Sequence, residues 1–107
     1  MLSVEINGKK YKVYEDGFLV DLDQWTEDWA KFCHENDPNR KGEELFTDEH
    51  LEVVSGLQEY YRKNGIAPMV RILSNVVGRS VGRIYELFPS GPGKGACKMA
   101  GIPRPSS

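Results

Sequence analysis

The sequence predicts a small, mainly α-helical bundle of about five helices, with a β-hairpin at its N-terminus and a flexible C-terminal arm. Apolar residues recur at helical spacing in several segments, Asn7-Gly8 stands between two short alternating runs, and glycines and prolines crowd the last nineteen residues. A chain of 107 residues that is 39% hydrophobic has the size and core content of one domain, which we take to span residues 1–107.

The first predicted element is the hairpin, over residues 4–13. Apolar and polar residues alternate on both strands, and Asn7-Gly8 suits the positive φ angles of a type I′ turn. A second turn at Asp16-Gly17 leads towards the first helix.

Five helices follow, and each has a recognisable cap or breaker. Their expected limits in chain order are Asp23 to Asn36, Thr47 to Asn64-Gly65, Pro68 to Gly78, Ser80 to Pro89, and Pro92 to Gly101. The apolar faces predict one core, made of Trp25, Trp29, Phe32, Leu51, Val54, Leu57, Val70, Leu73, Ile84 and Phe88.

Cys97 is the main candidate for chemistry. Lys94 and Lys98 flank it and would stabilise a thiolate, so we expect a partly exposed, reactive thiol on the arm of residues 91–107. The bland alternative is a small buried side chain, because free cysteine is among the most buried residue types. Cys33 shares the helix face of Trp25 and Trp29, and we assign it to the core.

Little in the sequence points to a self-contained enzyme. His34 and His50 have no Cys or His partner at metal-ligand spacing, so no metal site is predicted, and His50 is expected to be exposed. No triad pattern, phosphate loop or paired-carboxylate arrangement is present either. The N-terminus has no signal pattern and no apolar run is long enough for a membrane span, so we expect a cytoplasmic protein.

The charge is unevenly distributed. Residues 1–66 hold 8 Lys/Arg and 15 Asp/Glu, a balance of −7, whereas residues 67–107 hold 6 Lys/Arg and one acid, a balance of +5. A basic C-terminal half suits an anionic partner, and Arg71, Arg79 and Arg83 are possible contacts. The third and fourth helices also have helix-turn-helix spacing, which keeps a DNA-binding regulator open as an alternative.

Three stretches resemble the DsrC/TusE family, the small partner proteins of dissimilatory sulfite reductase and their sulfur-relay relatives. They are residues 60–71, residues 85–105, and Glu15-Asp-Gly-Phe-Leu19 together with Trp25. The resemblance implies an orthogonal helical bundle whose arm enters the reductase. It also implies partners, the reductase α and β subunits and a membrane-bound thiol/disulfide reductase complex. The protein would carry no cofactor of its own, because sirohaem and iron–sulfur clusters would belong to the reductase.

The resemblance further implies a role for Cys97 as the inner of two arm cysteines that hold a sulfur atom from sulfite as a trisulfide. The outer cysteine of the family pattern would follow Ser107, where the sequence ends, so we expect either a truncated Cys-Val tail or a variant without that thiol. The arm residues expected to dock are Gly91, Lys94, Gly95, Lys98, Ile102, Pro103, Arg104 and Pro105. A persulfide relay of the tRNA-thiolation type is the alternative within the family.

Overall fold

The computed structural model describes residues 2–40 and 45–103. Two antiparallel strands, β1 (Leu2–Ile6) and β2 (Lys9–Val13), form the predicted hairpin. Ile6 pairs with Lys9 across the two-residue turn, and Asn7 and Gly8 have φ angles of 51° and 84°. The type I′ assignment requires this pair of positive φ angles.

Five helical segments follow the hairpin, which confirms the mainly helical fold. They are α1 (Glu27–Glu35), α2 (Asp48–Asn64), α3 (Val70–Val77), α4 (Val81–Leu87), and a last helix that we call α5, made of a π-helical segment (Pro92–Cys97) and a short α-helical turn (Lys98–Ala100).

The first helix begins later than the sequence predicted. Leu22–Gln24 forms a separate 3₁₀ turn, and Trp25 returns to an extended conformation with ψ of 138°. Thr26, rather than Asp23, then caps α1, since its side chain accepts a hydrogen bond from the Trp29 amide. The third helix also begins late, because Met69 is extended and Val70 is the first helical residue.

One core joins the hairpin to all five helices. Of the ten residues predicted for it, six are buried: Trp29, Val54, Leu57, Leu73, Ile84 and Phe88. Trp25, Phe32 and Val70 are partly buried against it. Leu51 departs from the expectation, because it lines a groove between α2 and α3.

His50 is buried, so the expected exposure is wrong. Its Nδ1 accepts a hydrogen bond from the Thr47 amide at 3.1 Å, which leaves the proton on Nε2 to donate to the Leu87 carbonyl at 2.9 Å. The imidazole thus links the start of α2 to the end of α4. The position of His50 in the first turn of a helix suggested a solvent-exposed side chain. Its long-range hydrogen bond to the Leu87 carbonyl instead holds the ring in the core.

Candidate functional site

Cys97 lies inside the folded body. It ends the π-helical segment of α5, which contacts α1 and α2, and its side chain is 0% exposed. The expectation of a partly exposed thiol is wrong for this conformation. Small neighbours allow this close packing: a Cβ added to Gly95 would lie 3.2 Å from the Cβ of Phe88.

Three side chains bind the main chain at the end of α5. One lies on α1, one in the segment just before α1, and one on α2. Each donates an N–H to one of the last three carbonyls of the helix, where the i+4 amide partners of the helix interior are missing. The bonds are Trp29 Nε1 to Lys98 at 2.8 Å, Trp25 Nε1 to Met99 at 2.7 Å, and Gln58 Nε2 to Ala100 at 2.9 Å. We call Trp25, Trp29 and Gln58 the carbonyl clamp.

The backbone after Cys97 closes in a Schellman motif. Gly101 has φ of 74°, its amide donates to Lys98 O at 3.2 Å, and the Ile102 amide donates to Cys97 O at 3.1 Å. Ile102 is buried and is the residue that the motif brings back over the helix end. The backbone from Cys97 to Ile102 is therefore held by this motif as well as by the clamp.

Burial raises the pKa of the Cys97 thiol from 9.0 to about 12. The side chain is therefore a neutral thiol at physiological pH, and thiolate chemistry requires it to leave this environment. The expected stabilisation of a thiolate by Lys94 and Lys98 is not found here, since desolvation is the cause of the shift.

The two lysines instead border Cys33. Cys33, Asp37, Lys94 and Lys98 line a cavity of about 130 Å³ between α1 and α5. Burial raises the pKa of Cys33 to about 12; Lys98 opposes that shift and Asp37 adds to it. Cys33 is 9% exposed, as its assignment to the core predicted.

Residues 91–102, which the sequence assigned to the arm, belong to the folded body. Gly91, Gly95 and Ile102 are buried, Lys98 is partly buried and Lys94 is exposed, all within or beside α5. Pro103 is exposed and is the last described residue; Arg104 and Pro105 lie outside the described residues. Among the residues that the structure describes, only Pro103 follows the folded body.

The three candidate arginines have different surroundings. Arg79 Nε lies 2.9 Å from Glu49 Oε2, and Arg83 Nη2 lies 2.5 Å from Glu49 Oε1. These bonds lower the pKa of Glu49 to about 2. Arg79 and Arg83 could contact the bases of DNA only if these ion pairs were broken. Arg71, in contrast, is exposed on α3.

The carbonyl clamp is the part of the site that sequence reasoning missed. The sequence predicts both tryptophans in the core for their apolar rings and gives no role to Gln58. The sequence did offer one indication of these bonds. An indole N–H or a side-chain amide on a buried helix face needs a hydrogen-bond acceptor. The acceptors are carbonyls 42 to 74 residues away in sequence, and no local sequence pattern predicts which carbonyls they are.

The chain was compared with known proteins. The model of a family described as DsrC like protein matches residues 5–107. The dissimilatory-type sulfite reductase subunit gamma of Nitratidesulfovibrio vulgaris is 49% identical over 99% of this chain and 97% of its own. Sulfurtransferase TusE of Escherichia coli is 33% identical over 92% of each chain.

Solved structures agree with these matches. A crystal structure of dissimilatory sulfite reductase I contains a chain that is 48% identical, with a TM-score of 0.87 and coverage of 99% of this chain and 98% of that one. The oxidized gamma-subunit (DsrC) from Archaeoglobus fulgidus is 36% identical, with a TM-score of 0.81 and the same coverage.

Within residues 2–40 and 45–103, no helix is long and apolar enough to cross a membrane. Nor does that part of the chain bring three His, Cys, Asp or Glu side chains together as a metal site would require.

Proposed function

Because this chain belongs to the DsrC-like family, we propose that it is a sulfur-carrying partner protein of a dissimilatory sulfite reductase and that Cys97 holds the sulfur. The observation that carries the proposal is the 49% identity with a dissimilatory-type sulfite reductase gamma subunit across almost the full length of both chains. The reductase α and β subunits would be its partners, in the cytoplasm. It would bring no cofactor, and a membrane-bound thiol/disulfide reductase would discharge it.

The proposed chemistry requires Cys97 to leave its buried position. A neutral thiol that is 0% exposed can neither attack nor receive sulfur. Docking on the reductase would release residues 98–102 from the carbonyl clamp and offer the thiol to a bound sulfur species. Free energy of docking would thus offset the cost of opening, and the free protein would keep the thiol protected.

A trisulfide also needs a second arm thiol. Sulfite, two thiols, four protons and two electrons from the reductase would give one trisulfide and three waters; the sulfite sulfur gains four electrons, two of them from the thiols. The 107 residues contain two cysteines, and the other one is Cys33 on α1. The trisulfide route is therefore proposed for a chain extended by Cys-Val after Ser107.

The experiment compares two chains, 1–107 and 1–107 plus Cys-Val, each incubated with purified αβ reductase, sulfite and an electron donor. Intact mass after alkylation would show one added sulfur atom, lost on reduction, in the extended chain and not in its Cys97→Ser variant. The Cys33→Ser variant is the matched control and should load normally. Loading that survives Cys97→Ser would refute the assignment of Cys97.

A persulfide relay of the tRNA-thiolation type is the second candidate function, supported by the 33% identity with sulfurtransferase TusE. In that case the chain would accept sulfur from a persulfide donor without any reductase. Incubation with a persulfide donor alone separates the two candidates. A DNA-binding regulator gains no support, since Arg79 and Arg83 are held by Glu49.

A further inference from the structure

The outer face of α3 is apolar although it faces solvent. Ile72 and Val76 are 44% and 47% exposed and lie one turn apart on the same side of the helix. Met69, the residue before the helix, is 53% exposed. Ile66, just before the helix, is 59% exposed. The opposite side of α3 carries the fully buried Leu73. We call Ile66, Met69, Ile72 and Val76 the α3 patch.

Charge is graded along this patch. Arg62 and Lys63, in the last turn of α2, lie just before Ile66 in sequence, and the exposed Arg71 precedes Ile72. Residues 60–85 contain no Asp or Glu at all. At the other end, Val76 borders a groove of about 570 Å³ that Glu52 and Arg79 also line, and these two side chains form an ion pair. A partner therefore meets a basic end and an end at which these two charges are paired.

The cations at the basic end differ from the other arginines. Arg79 pairs with Glu49 and Glu52, and Arg83 pairs with Glu49 and Glu86. Within residues 2–40 and 45–103, no ion pair involves Arg62, Lys63 or Arg71. Their charges thus remain available for an anionic surface. Exposed apolar side chains rimmed by uncompensated charge are typical of protein interaction sites.

The size of the patch indicates whether a second copy of this chain or a different protein binds there. A stable interface buries roughly 800 Å² on each side, and four partly exposed aliphatic side chains supply much less. A second copy held by this patch alone would be too weakly bound. The patch suits a partner that holds the chain at another place as well, and the proposed docking of the C-terminal arm is such a place.

We propose that the α3 patch is a second docking surface for the sulfite reductase αβ core, which rests on the proposed function. The complementary reductase surface would be apolar at its centre and acidic where it meets Arg62, Lys63 and Arg71. The patch would orient the body, so that the end of α5 faces the entrance that the arm uses. Two weak contacts on one partner then act together, because the second becomes intramolecular once the first has formed.

The test measures binding of the full chain to immobilised αβ reductase core. Ile72→Glu should weaken binding at least about tenfold, since it places a charge at the centre of an apolar contact. Arg71→Glu should weaken it less, with a reduced dependence on salt concentration. Tyr14→Glu and Leu45→Glu are matched controls, because both residues are exposed hydrophobics outside the patch. Both variants should bind the reductase core normally.

The outcomes are separable. Normal binding by Ile72→Glu, with its circular dichroism spectrum and melting temperature unchanged, would overturn the role of the patch and leave the proposed function intact. Equal loss in the two controls would overturn the patch as well, since any added charge would then suffice. No binding by the unmodified chain would refute the proposed function itself. Sedimentation of the free chain as a dimer that Ile72→Glu dissociates would assign the patch to a second copy and overturn the proposal.

Discussion

Loosening the carbonyl clamp should expose Cys97 without unfolding the protein. In a Cys33→Ser background, Trp25→Phe removes the N–H that reaches Met99 O at 2.7 Å and keeps an aromatic ring in place. The lost bond to a main-chain carbonyl costs about 1–2 kcal/mol. That cost lowers the free energy of opening the end of α5, which raises the open population about 5- to 30-fold.

Iodoacetamide labelling of Cys97, followed by mass spectrometry over time, measures this population. In the unmodified protein the raised pKa alone, from 9.0 to about 12, lowers the thiolate fraction about a thousandfold at neutral pH. We therefore expect very slow labelling compared with the same chain in urea. Trp25→Phe should accelerate labelling by the factor given above.

Tyr11→Phe is the matched control. It also removes one side-chain hydrogen bond, to Thr26 Oγ1 at 2.6 Å, and leaves the clamp intact. Its effect on overall stability should be similar, and its effect on Cys97 labelling small. Labelling of the unmodified protein at the urea rate would refute the closed position of Cys97. Equal acceleration by Tyr11→Phe would show that labelling follows global unfolding rather than opening of α5.

Three further changes test the packing and the charges. Trp29→Ala should lower the free energy of unfolding in urea by about 3–5 kcal/mol, because it empties a buried site and removes a clamp bond; a loss below about 1 kcal/mol would contradict the burial of that ring. Gly101→Ala should destabilise by about 1 kcal/mol or more, since φ is 74° and the new Cβ would lie 2.9 Å from Leu19 Cδ1; a melting temperature equal to that of the unmodified protein would exclude the Schellman geometry. Glu49 has its pKa lowered from 4.5 to about 2, so the stability it adds is complete above pH 4.5 and is lost as pH falls towards 2. Glu49→Gln should therefore reduce the fall in stability across that interval in acid titrations, and an unchanged profile would show that its ion pairs with Arg79 and Arg83 contribute nothing.

The sequence carried most of the fold, because local signals and packing agree in it. The Asn7-Gly8 turn, the Thr47 cap and Gly101 each impose a conformation that few alternatives satisfy. The start of the first helix was misplaced since a 3₁₀ turn and a helix share the same capping residues, and only packing of Trp25 separates the two.

The site was less predictable than the fold. The flanking lysines suggested a reactive Cys97, but the reactivity of a thiol depends on burial, and burial depends on contacts far away in sequence. Glycines at 91, 93 and 95 indicated a mobile arm, and yet glycine also permits the closest helix packing, as Gly95 does against Phe88. Composition cannot distinguish these two uses of glycine, since both require only the absence of a side chain.

The carbonyl clamp also constrains the order of folding. Its donors precede their acceptors by 74, 69 and 42 residues, so all three bonds of the clamp close long loops. Such contacts cost loop entropy before they stabilise anything, and they form late. During synthesis, residues 97–102 emerge after all three donors of the clamp. The burial that shields Cys97 in the folded protein is therefore complete only once α5 has docked on donors that were made earlier.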